Sequence, residues 1–204
     1  MPIAFRPTSI HNERTISSHV HHAAPPAIAG RNASLRLVEV ADARFLFDLR
    51  RSPRGRALSP IADDPRAQEE WIRGYKAREA RGEEYYFVVE HGRAGDVGAL
   101  RLYDIASDAF WWGSWIVRRD APRATALESM FLVYELGFFG LDRACARFVV
   151  RKDNPTRNFH PRVGARITAE DEARVFFELT RERWLEARPR FARRFARVRT
   201  AGAP

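Results

Sequence analysis

Apolar residues recur at two spacings along the first third of the chain. Residues 35–40 alternate apolar and polar side chains, which predicts a strand with one buried face. Residues 43–50 repeat apolar side chains at helical spacing, which predicts a short helix. A second helix is predicted to begin at Pro65, after the capping residue Asp64, and to end at Gly82, with residues 51–63 forming a loop between the two helices.

The middle of the chain reads as strands and one buried helix. Three strands are predicted over residues 85–90, 96–105 and 110–117, and the short, turn-like segments between them indicate antiparallel pairing. Residues 124–139 are apolar on nearly every face, which is typical of a buried helix. A strand over residues 144–151 follows, and a strand–helix–strand order predicts a parallel pair reached by a crossover.

The chain ends with less regular segments. A short helix is predicted from the Asp153-Asn154-Pro155 segment to Val163, and a last strand over residues 174–180. Residues 181–199 hold eight arginines together with a set of apolar residues, and we interpret them as an amphipathic helix docked on the core. We therefore expect an N-terminal tail over 1–33, disordered or extended, a domain over 34–180, and a basic helix and tail over 181–204.

Composition narrows the classes of protein and partner. The 204 residues are 45% hydrophobic and carry a net charge of +9, almost all of it from arginine. Arginine suits phosphate ligands because it binds them through a two-pronged fork, and we do not expect nucleic acid to be the main partner. The single cysteine, Cys145, lies in an apolar run and excludes a disulfide framework. The tail histidines His19, His21 and His22 are not interpreted as a metal site, and no metal is expected.

No apolar stretch is long enough to span a bilayer, and the N-terminus has no apolar core of the kind that secretory signals carry. We therefore expect a cytoplasmic protein.

Three segments resemble one superfamily: Trp111-Trp112-Gly113-Ser114-Trp115-Ile116-Val117, Val149-Val150-Arg151-Lys152-Asp153-Asn154, and Asn158-Phe159-His160-Pro161-Arg162-Val163-Gly164-Ala165. With the element order, they resemble the GNAT (acetyl-CoA-dependent N-acetyltransferase) superfamily, in the subgroup of ribosomal-protein N-terminal and amino-sugar acetyltransferases. The resemblance implies an α/β fold with a mixed, mostly antiparallel central sheet, flanked by helices, whose fourth and fifth strands splay apart. In this chain those two strands are residues 110–117 and 144–151.

The resemblance also implies where acetyl-CoA binds. The family's pyrophosphate loop has the form (Gln/Arg)-x-x-Gly-x-(Gly/Ala), and Arg119 and Ala124 fit it, whereas Pro122 stands at the first glycine and supplies no N–H. Helix N-termini attract phosphates through unpaired N–H groups and the helix dipole. The pantetheine arm would lie along the fourth strand. The expected cofactor-binding residues are Trp115, Ile116, Val117, Arg118, Arg119, Arg123, Ala124, Thr125 and Asn154.

The resemblance implies one catalytic residue, His160. It lies four residues before Gly164, where the family often has a tyrosine that protonates the departing thiolate, although the segment is one residue shorter than usual and contains Pro161. A histidine with an ordinary pKa near 6.5 is partly protonated at neutral pH. Val149 occupies the place of a glutamate that some relatives use as base.

The identity of the base is left open by the sequence. Glu90, Asp104 and Glu128 are candidates, and so is a chain of water molecules.

The acceptor is expected between the first two helices and the antiparallel strands. Gln68, Trp71 and Tyr75 share one helix face, and Trp112 is expected to line the site. Arginines in the preceding loop could receive a diphosphate; they are Arg50, Arg51, Arg54 and Arg56.

These residues favour direct attack of a small-molecule primary amine on acetyl-CoA, with an amino-sugar nucleotide as acceptor. A protein N-terminal acetyltransferase, a degenerate CoA-binding protein and an RNA-binding module remain alternatives, and a homodimer is compatible with each.

Overall fold

A mixed sheet of nine strands forms the centre of the computed structural model, which describes residues 28–195 and 199–200. The strands are β1 (Ile28–Ala29), β2 (Ala33–Leu37), β3 (Tyr85–His91), β4 (Gly95–Tyr103), β5 (Ala109–Val117), β6 (Cys145–Arg151), β7 (Arg166–Glu170), β8 (Arg174–Thr180) and β9 (Arg199–Thr200). The helices are α1 (Ala43–Arg51), α2 (Pro65–Ala80), α3 (Thr125–Glu135) and α4 (Arg181–Phe195). The histidines of the predicted tail lie outside the described residues.

The strand order is β7-β8-β6-β5-β4-β3-β2-β1-β9. Every described neighbouring pair is antiparallel except β5 and β6, which are parallel. That parallel pair is short, because it joins Ala109 to Cys145, Phe110 to Ala146 and Trp111 to Arg147 and then stops. The predicted mixed sheet, its crossover and the splay of these two strands are therefore confirmed.

Helices cover both faces of the sheet because each strand alternates its side chains between two cores. On one face, Leu46 and Leu49 of α1 and Ile72 of α2 pack against Val88 and Ala99 of the sheet. On the other face, α3 and α4 cover a larger core that contains most of the aromatic rings. Among the described residues, no helix is both long and apolar enough to cross a membrane.

The structure differs from the prediction at several element boundaries. Within the range predicted as tail, Ile28–Ala29 and Ala33 are strand residues, and Ile28 is buried and pairs with both β2 and β9. The strand β7 was not predicted, because all five of its residues are exposed at the sheet edge and no apolar alternation marks them.

Two predicted helices are also modified. The apolar helix changes to a wider π turn over Leu136–Gly140, where Gly137 packs so closely on Phe110 that an added Cβ would lie 2.1 Å from its ring. The predicted helix ending at Val163 is two 3₁₀ turns, Pro155–Asn158 and His160–Val163, because Pro161 interrupts it.

The arginine-rich segment is the predicted docked helix, and a buried carboxylate fixes it in place. Glu135 on α3 accepts from Trp184 Nε1 at 2.9 Å and from Arg188 Nε and Nη2 at 2.8 and 2.7 Å. Trp184 is fully buried against Phe131 and Tyr134. The arginines of α4 that remain exposed therefore form a solvated outer face.

Replacement of Glu135 by Ala should destabilise the protein by about 2–3 kcal/mol, because it leaves the buried indole N–H without an acceptor. Urea unfolding would measure the change, with Glu186→Ala, at an exposed position on α4, as the control. Equal midpoints for the two variants would contradict this account of how α4 is held.

Candidate active site

The divergence of β5 and β6 opens a groove that passes from one side of the sheet to the other. Two adjoining cavities of about 610 and 540 Å³ occupy it, a size that suits a small-molecule ligand. Their walls include Trp115 of β5, Arg151 of β6 and Asn154, which border both cavities. The loop over Ala57 and Leu58 closes the groove from above and also borders both.

A bulge in β5 sets the shape of the open edge. Ala99 pairs with Ile116 and Arg101 with Gly113, so two steps along β4 face three along β5. The extra residue is accommodated at Ser114, which has a left-handed φ of 50°. Gly113, Ser114 and Trp115 line the larger cavity just beyond Trp111, where the pairing with β6 ends.

The far end of β5 offers backbone groups to a ligand. Arg118 N–H donates to Val97 O at 2.7 Å, which makes these two residues the hydrogen-bonded pair. Val117 is therefore in a non-hydrogen-bonded position, and its N–H and C=O point away from β4 and into the groove. Arg54 Nη1 donates to that carbonyl at 3.0 Å. An extended ligand could pair with this edge as an added strand would.

The start of α3 provides unpaired N–H groups next to the groove. Ala124, with a left-handed φ of 73°, precedes the helix, and the first helical hydrogen bond runs from Glu128 N to Ala124 O at 2.9 Å. The N–H groups of Ala126 and Leu127 thus have no backbone acceptor within the described ranges. Ala126, which was not predicted, lines the smaller cavity. This arrangement fits a pyrophosphate.

One predicted cofactor residue has a structural role. Thr125 is buried, and its N–H and Oγ1 both donate to Pro122 O, at 3.2 and 2.7 Å. Both donors of Thr125 are thus used within the loop, and its contact with the cofactor stays a prediction. The contact with Pro122 explains how a proline can stand where the family has glycine: its carbonyl secures the start of the helix.

The predicted cations of the phosphate loop do not line the two groove cavities: Arg118 and Arg119 border a separate cavity of about 830 Å³. Arg118 is paired with Asp120, Nε to Oδ1 at 3.0 Å, and this arginine lowers the pKa of that carboxyl. Arg119 and Arg123 are exposed beside the loop. Arg54 and Arg56, proposed for an acceptor, line the smaller cavity at the cofactor end instead.

Asn154, which is expected to bind the cofactor, borders both cavities. Its Oδ1 accepts from the N–H and the Oγ1 of Thr156, at 3.0 and 2.9 Å, and so caps a 3₁₀ turn. The cap leaves the amide Nδ2 as the group available to a ligand.

His160 reaches the groove from inside an aromatic cluster. It is 2% exposed, and its ring centre lies 4.5 Å from that of Phe148, 6.1 Å from Trp112 and 6.5 Å from Trp115. Its Nδ1 has no hydrogen-bond partner among the described residues. Burial lowers its pKa to about 4. The expected partial protonation at neutral pH is therefore wrong, because the apolar surroundings favour the neutral ring.

The three carboxylates considered as bases lie elsewhere. Glu90 accepts from Ser34 Oγ at 2.9 Å and Arg36 Nε at 3.1 Å. Glu128 is buried and accepts from Asn32 N at 2.8 Å. Asp104 is exposed after β4. None of them lines the groove as the described residues define it.

Three of the four predicted acceptor residues border cavities. Trp112 lines the larger cavity, and Gln68 and Trp71 line a side cavity of about 330 Å³. Tyr75 does not, and its prediction as a substrate-binding residue is wrong. It is fully buried, its oxygen accepts from Tyr86 N at 2.8 Å and its hydroxyl donates to Glu79, while burial raises its pKa.

Sequence reasoning missed part of the acceptor side. Arg101 lines both the larger and the side cavity, and Tyr103, Arg151 and Arg174 line the larger one. Of the loop arginines, Arg50 borders the side cavity. The position of Arg101 as a polar residue amid the apolar residues of β4 was the available signal.

The one cysteine of the sequence is chemically quiet. Cys145 is buried, and burial raises the pKa of its thiol to about 12, so it carries no thiolate at neutral pH. Within the described ranges, no group of three or more His, Cys, Asp or Glu side chains could hold a metal ion.

Comparisons with known proteins place this geometry in context. A scan against protein-family profiles gave no match, and neither did a search of curated proteins. Among solved structures, apo FdhC, a nucleotide-linked sugar GNAT, is 35% identical with a TM-score of 0.73, covering 82% of this chain and 97% of FdhC.

Two further solved structures show the same fold at lower identity. Mycobacterium smegmatis RimJ, in complex with CoA-disulfide, is 19% identical with a TM-score of 0.64, covering 78% of this chain and 88% of RimJ. A putative ribosomal-protein-serine acetyltransferase from Vibrio cholerae is 19% identical with a TM-score of 0.67, covering 78% and 99%. The splayed sheet, the N-terminus of α3 that suits a pyrophosphate, and the 35% identity to FdhC agree with one another. The chain belongs to the GNAT superfamily of acetyl-CoA-dependent N-acetyltransferases.

Proposed function

We propose that this enzyme transfers the acetyl group of acetyl-CoA to the amine of a nucleotide-linked amino sugar. The observation that carries this proposal is the similarity to FdhC, a nucleotide-linked sugar GNAT, over 97% of that chain. The charge of the acceptor side supports it. The larger cavity is lined by Arg101, Arg151 and Arg174, and no carboxylate is among the described residues that line it. Such a wall suits an anionic acceptor and does not suit a polyamine or a basic peptide.

The cosubstrate would occupy the smaller cavity and the gap. The free N–H groups of Ala126 and Leu127 would hold its pyrophosphate, together with nearby arginines. The exposed backbone edge at Val117 would pair with its pantetheine arm after Arg54 releases the carbonyl. The thioester would then face the acceptor side through the gap between the two strands.

The reaction is a direct substitution at the thioester carbon. The neutral amine attacks this carbon, a C–N bond forms, the C–S bond breaks, and the electron pair leaves with the CoA sulfur. The amine nitrogen must also lose a proton, and water takes it, since no carboxylate lines the larger cavity among the described residues. Asp153, which borders the smaller cavity, is paired with Arg151, whose Nη2 donates to Asp153 Oδ2 at 2.6 Å. Fixed positioning of the two reactants supplies much of the rate enhancement.

We assign His160 the role of a neutral hydrogen-bond donor to the departing thiolate. With a pKa of about 4, the ring is uncharged at neutral pH and has no imidazolium proton to transfer. Its remaining N–H can still donate a hydrogen bond to the negative charge that develops on sulfur. The apolar rings around it exclude water, which strengthens such a hydrogen bond.

A panel of acceptors tests the proposed reaction. With acetyl-CoA saturating, kcat/KM should be at least about 100-fold higher for a nucleotide-linked amino sugar than for spermidine or a basic N-terminal peptide, since a repelled cationic acceptor costs several kcal/mol. Release of CoA thiol would be measured, with omission of the acceptor as the control. Preference for the peptide or for spermidine would overturn the proposal.

His160→Phe should lower kcat by about 100-fold, the usual loss for one transition-state donor, while the Kd of acetyl-CoA stays unchanged. The kcat of the unaltered enzyme should show no inflection near pH 6.5, because this ring is already neutral there. His91→Phe, at the end of β3 and outside the groove, is the matched control. Equal kcat values for the two variants would remove His160 from the reaction.

Burial of His160 also predicts a loss of stability in acid. Between pH 6.5 and about 4, the unfolded chain binds a proton at this histidine that the folded protein does not bind. The free energy of unfolding therefore falls by roughly 2–3 kcal/mol over that range. Below pH 4 both states are protonated, and this histidine causes little further change. Urea unfolding at pH 7.5 and 4.5 should show a smaller fall in His160→Phe. An identical fall in both proteins would contradict the burial argument.

A further inference from the structure

A side cavity of about 330 Å³ opens off the larger one on the acceptor side of the sheet. The two cavities share Ser59, Pro60, Arg101 and Ser114, so they are parts of one space. The charged groups that line the side cavity are Arg50 and Arg101, and none of its described lining residues is a carboxylate. A ligand that extends from the larger cavity into this one therefore meets two guanidinium groups and no carboxylate of the described lining.

Arg101 is held rigidly at the junction. Its Nη2 donates to Glu84 Oε2 at 2.7 Å, and its guanidinium carbon lies 5.1 Å from the ring centre of Trp71, 5.4 Å from that of Tyr103 and 5.9 Å from that of Tyr86. Contact with aromatic faces and one carboxylate fixes the plane of the guanidinium. The group is preorganised and loses little freedom when it binds a ligand.

The local charge is not balanced. Glu84 is buried and also accepts from Arg78 Nη2 at 3.1 Å, so one carboxylate faces two guanidinium groups. The Nε of Arg101 is enclosed and has no acceptor among the described residues. A net positive charge therefore remains on this cluster, and Arg101 places part of that charge where the two cavities meet.

Arg50, which also lines the side cavity, repeats this pattern. Its Nη2 donates to Ser59 O at 2.6 Å, while its enclosed Nε has no acceptor among the described residues. Both Arg50 and Arg101 lower the pKa of Tyr86 against the larger, raising effect of its burial, which places both cations near that phenol. Two incompletely paired arginines therefore converge on one small cavity.

We propose that Arg50 and Arg101 form a subsite for the diphosphate of the acceptor, with Arg101 as the residue that selects nucleotide-linked over free amino sugars. Arginine forks match the oxygens of phosphate in pairs, and two forks around a cavity of this size suit a diphosphate. The sugar then lies in the larger cavity, with its amine directed to the gap. This inference rests on the proposed function, which it extends from an acceptor class to the residues that recognise it.

Binding of inorganic pyrophosphate tests the subsite without reference to catalysis. Calorimetric titration would be carried out with CoA at saturation, so that the N–H groups at the start of α3 are already occupied and do not bind the added pyrophosphate. Arg101→Gln and Arg50→Gln should each weaken binding by about 10-fold or more, the usual loss for a charge-assisted hydrogen bond. Arg73→Gln, an exposed arginine of α2 that pairs with Glu69 and lines none of these cavities, is the matched control and should bind as the unaltered protein does.

Kinetics then separate this inference from the proposed function. Arg101→Gln should raise KM for the nucleotide-linked amino sugar by about 10-fold or more and leave KM for the corresponding methyl glycoside unchanged. Arg101→Lys keeps the charge without the fork and serves if Arg101→Gln fails to fold in thermal unfolding. Pyrophosphate affinity unchanged by either arginine substitution would overturn the subsite even if acetyl transfer occurs. Arginine-dependent pyrophosphate binding without acetyl transfer would sustain the subsite and reject the proposed reaction.

Discussion

The active site depends on a break in backbone hydrogen bonding inside the sheet. The strands β5 and β6 pair over three residues and then part, which leaves polar backbone groups at an internal edge instead of at the rim. Buried backbone groups without partners are costly, so an edge of this kind is stable when a side chain, water or ligand completes it. Arg54 completes part of it in this structure through the carbonyl of Val117. The groove, the candidate catalytic histidine and the acceptor cavities are all arranged around this interruption.

The two sides of the gap differ in polarity, and the difference suits the chemistry. Around His160 the walls are aromatic, which keeps the ring neutral and strengthens any hydrogen bond that it donates. On the acceptor side the walls carry arginines held by aromatic rings and by Glu84. The proposed anionic acceptor would be attracted toward a reaction centre that is itself uncharged, and no carboxylate lines the larger cavity among the described residues to hold its amine as an ammonium ion.

The sequence predicted the features that follow from local patterns. The buried helix α3 and the parallel crossover were predicted correctly because they follow from apolar spacing and from the order of neighbouring elements. Helical spacing also placed Tyr75 and Trp71 on one face, but depth within the fold is a tertiary property, and Tyr75 proved to be core. Arg101 was missed for the same reason: its partners come from α2, β3 and β4, and no local pattern brings them together.

The bulge at Ser114 has a consequence for how this site can change. In a regular strand Trp112 and Trp115 would project from opposite faces, yet their rings lie 5.5 Å apart and both contact His160. The one surplus residue therefore reverses the face on which each later side chain of β5 lies. It brings Trp115 beside Trp112, on the face that contacts His160. Deletion of one residue there would restore the regular alternation and place Trp112 and Trp115 on opposite faces of the sheet. Replacement of a side chain cannot do this, because it leaves the number of residues in the strand unchanged.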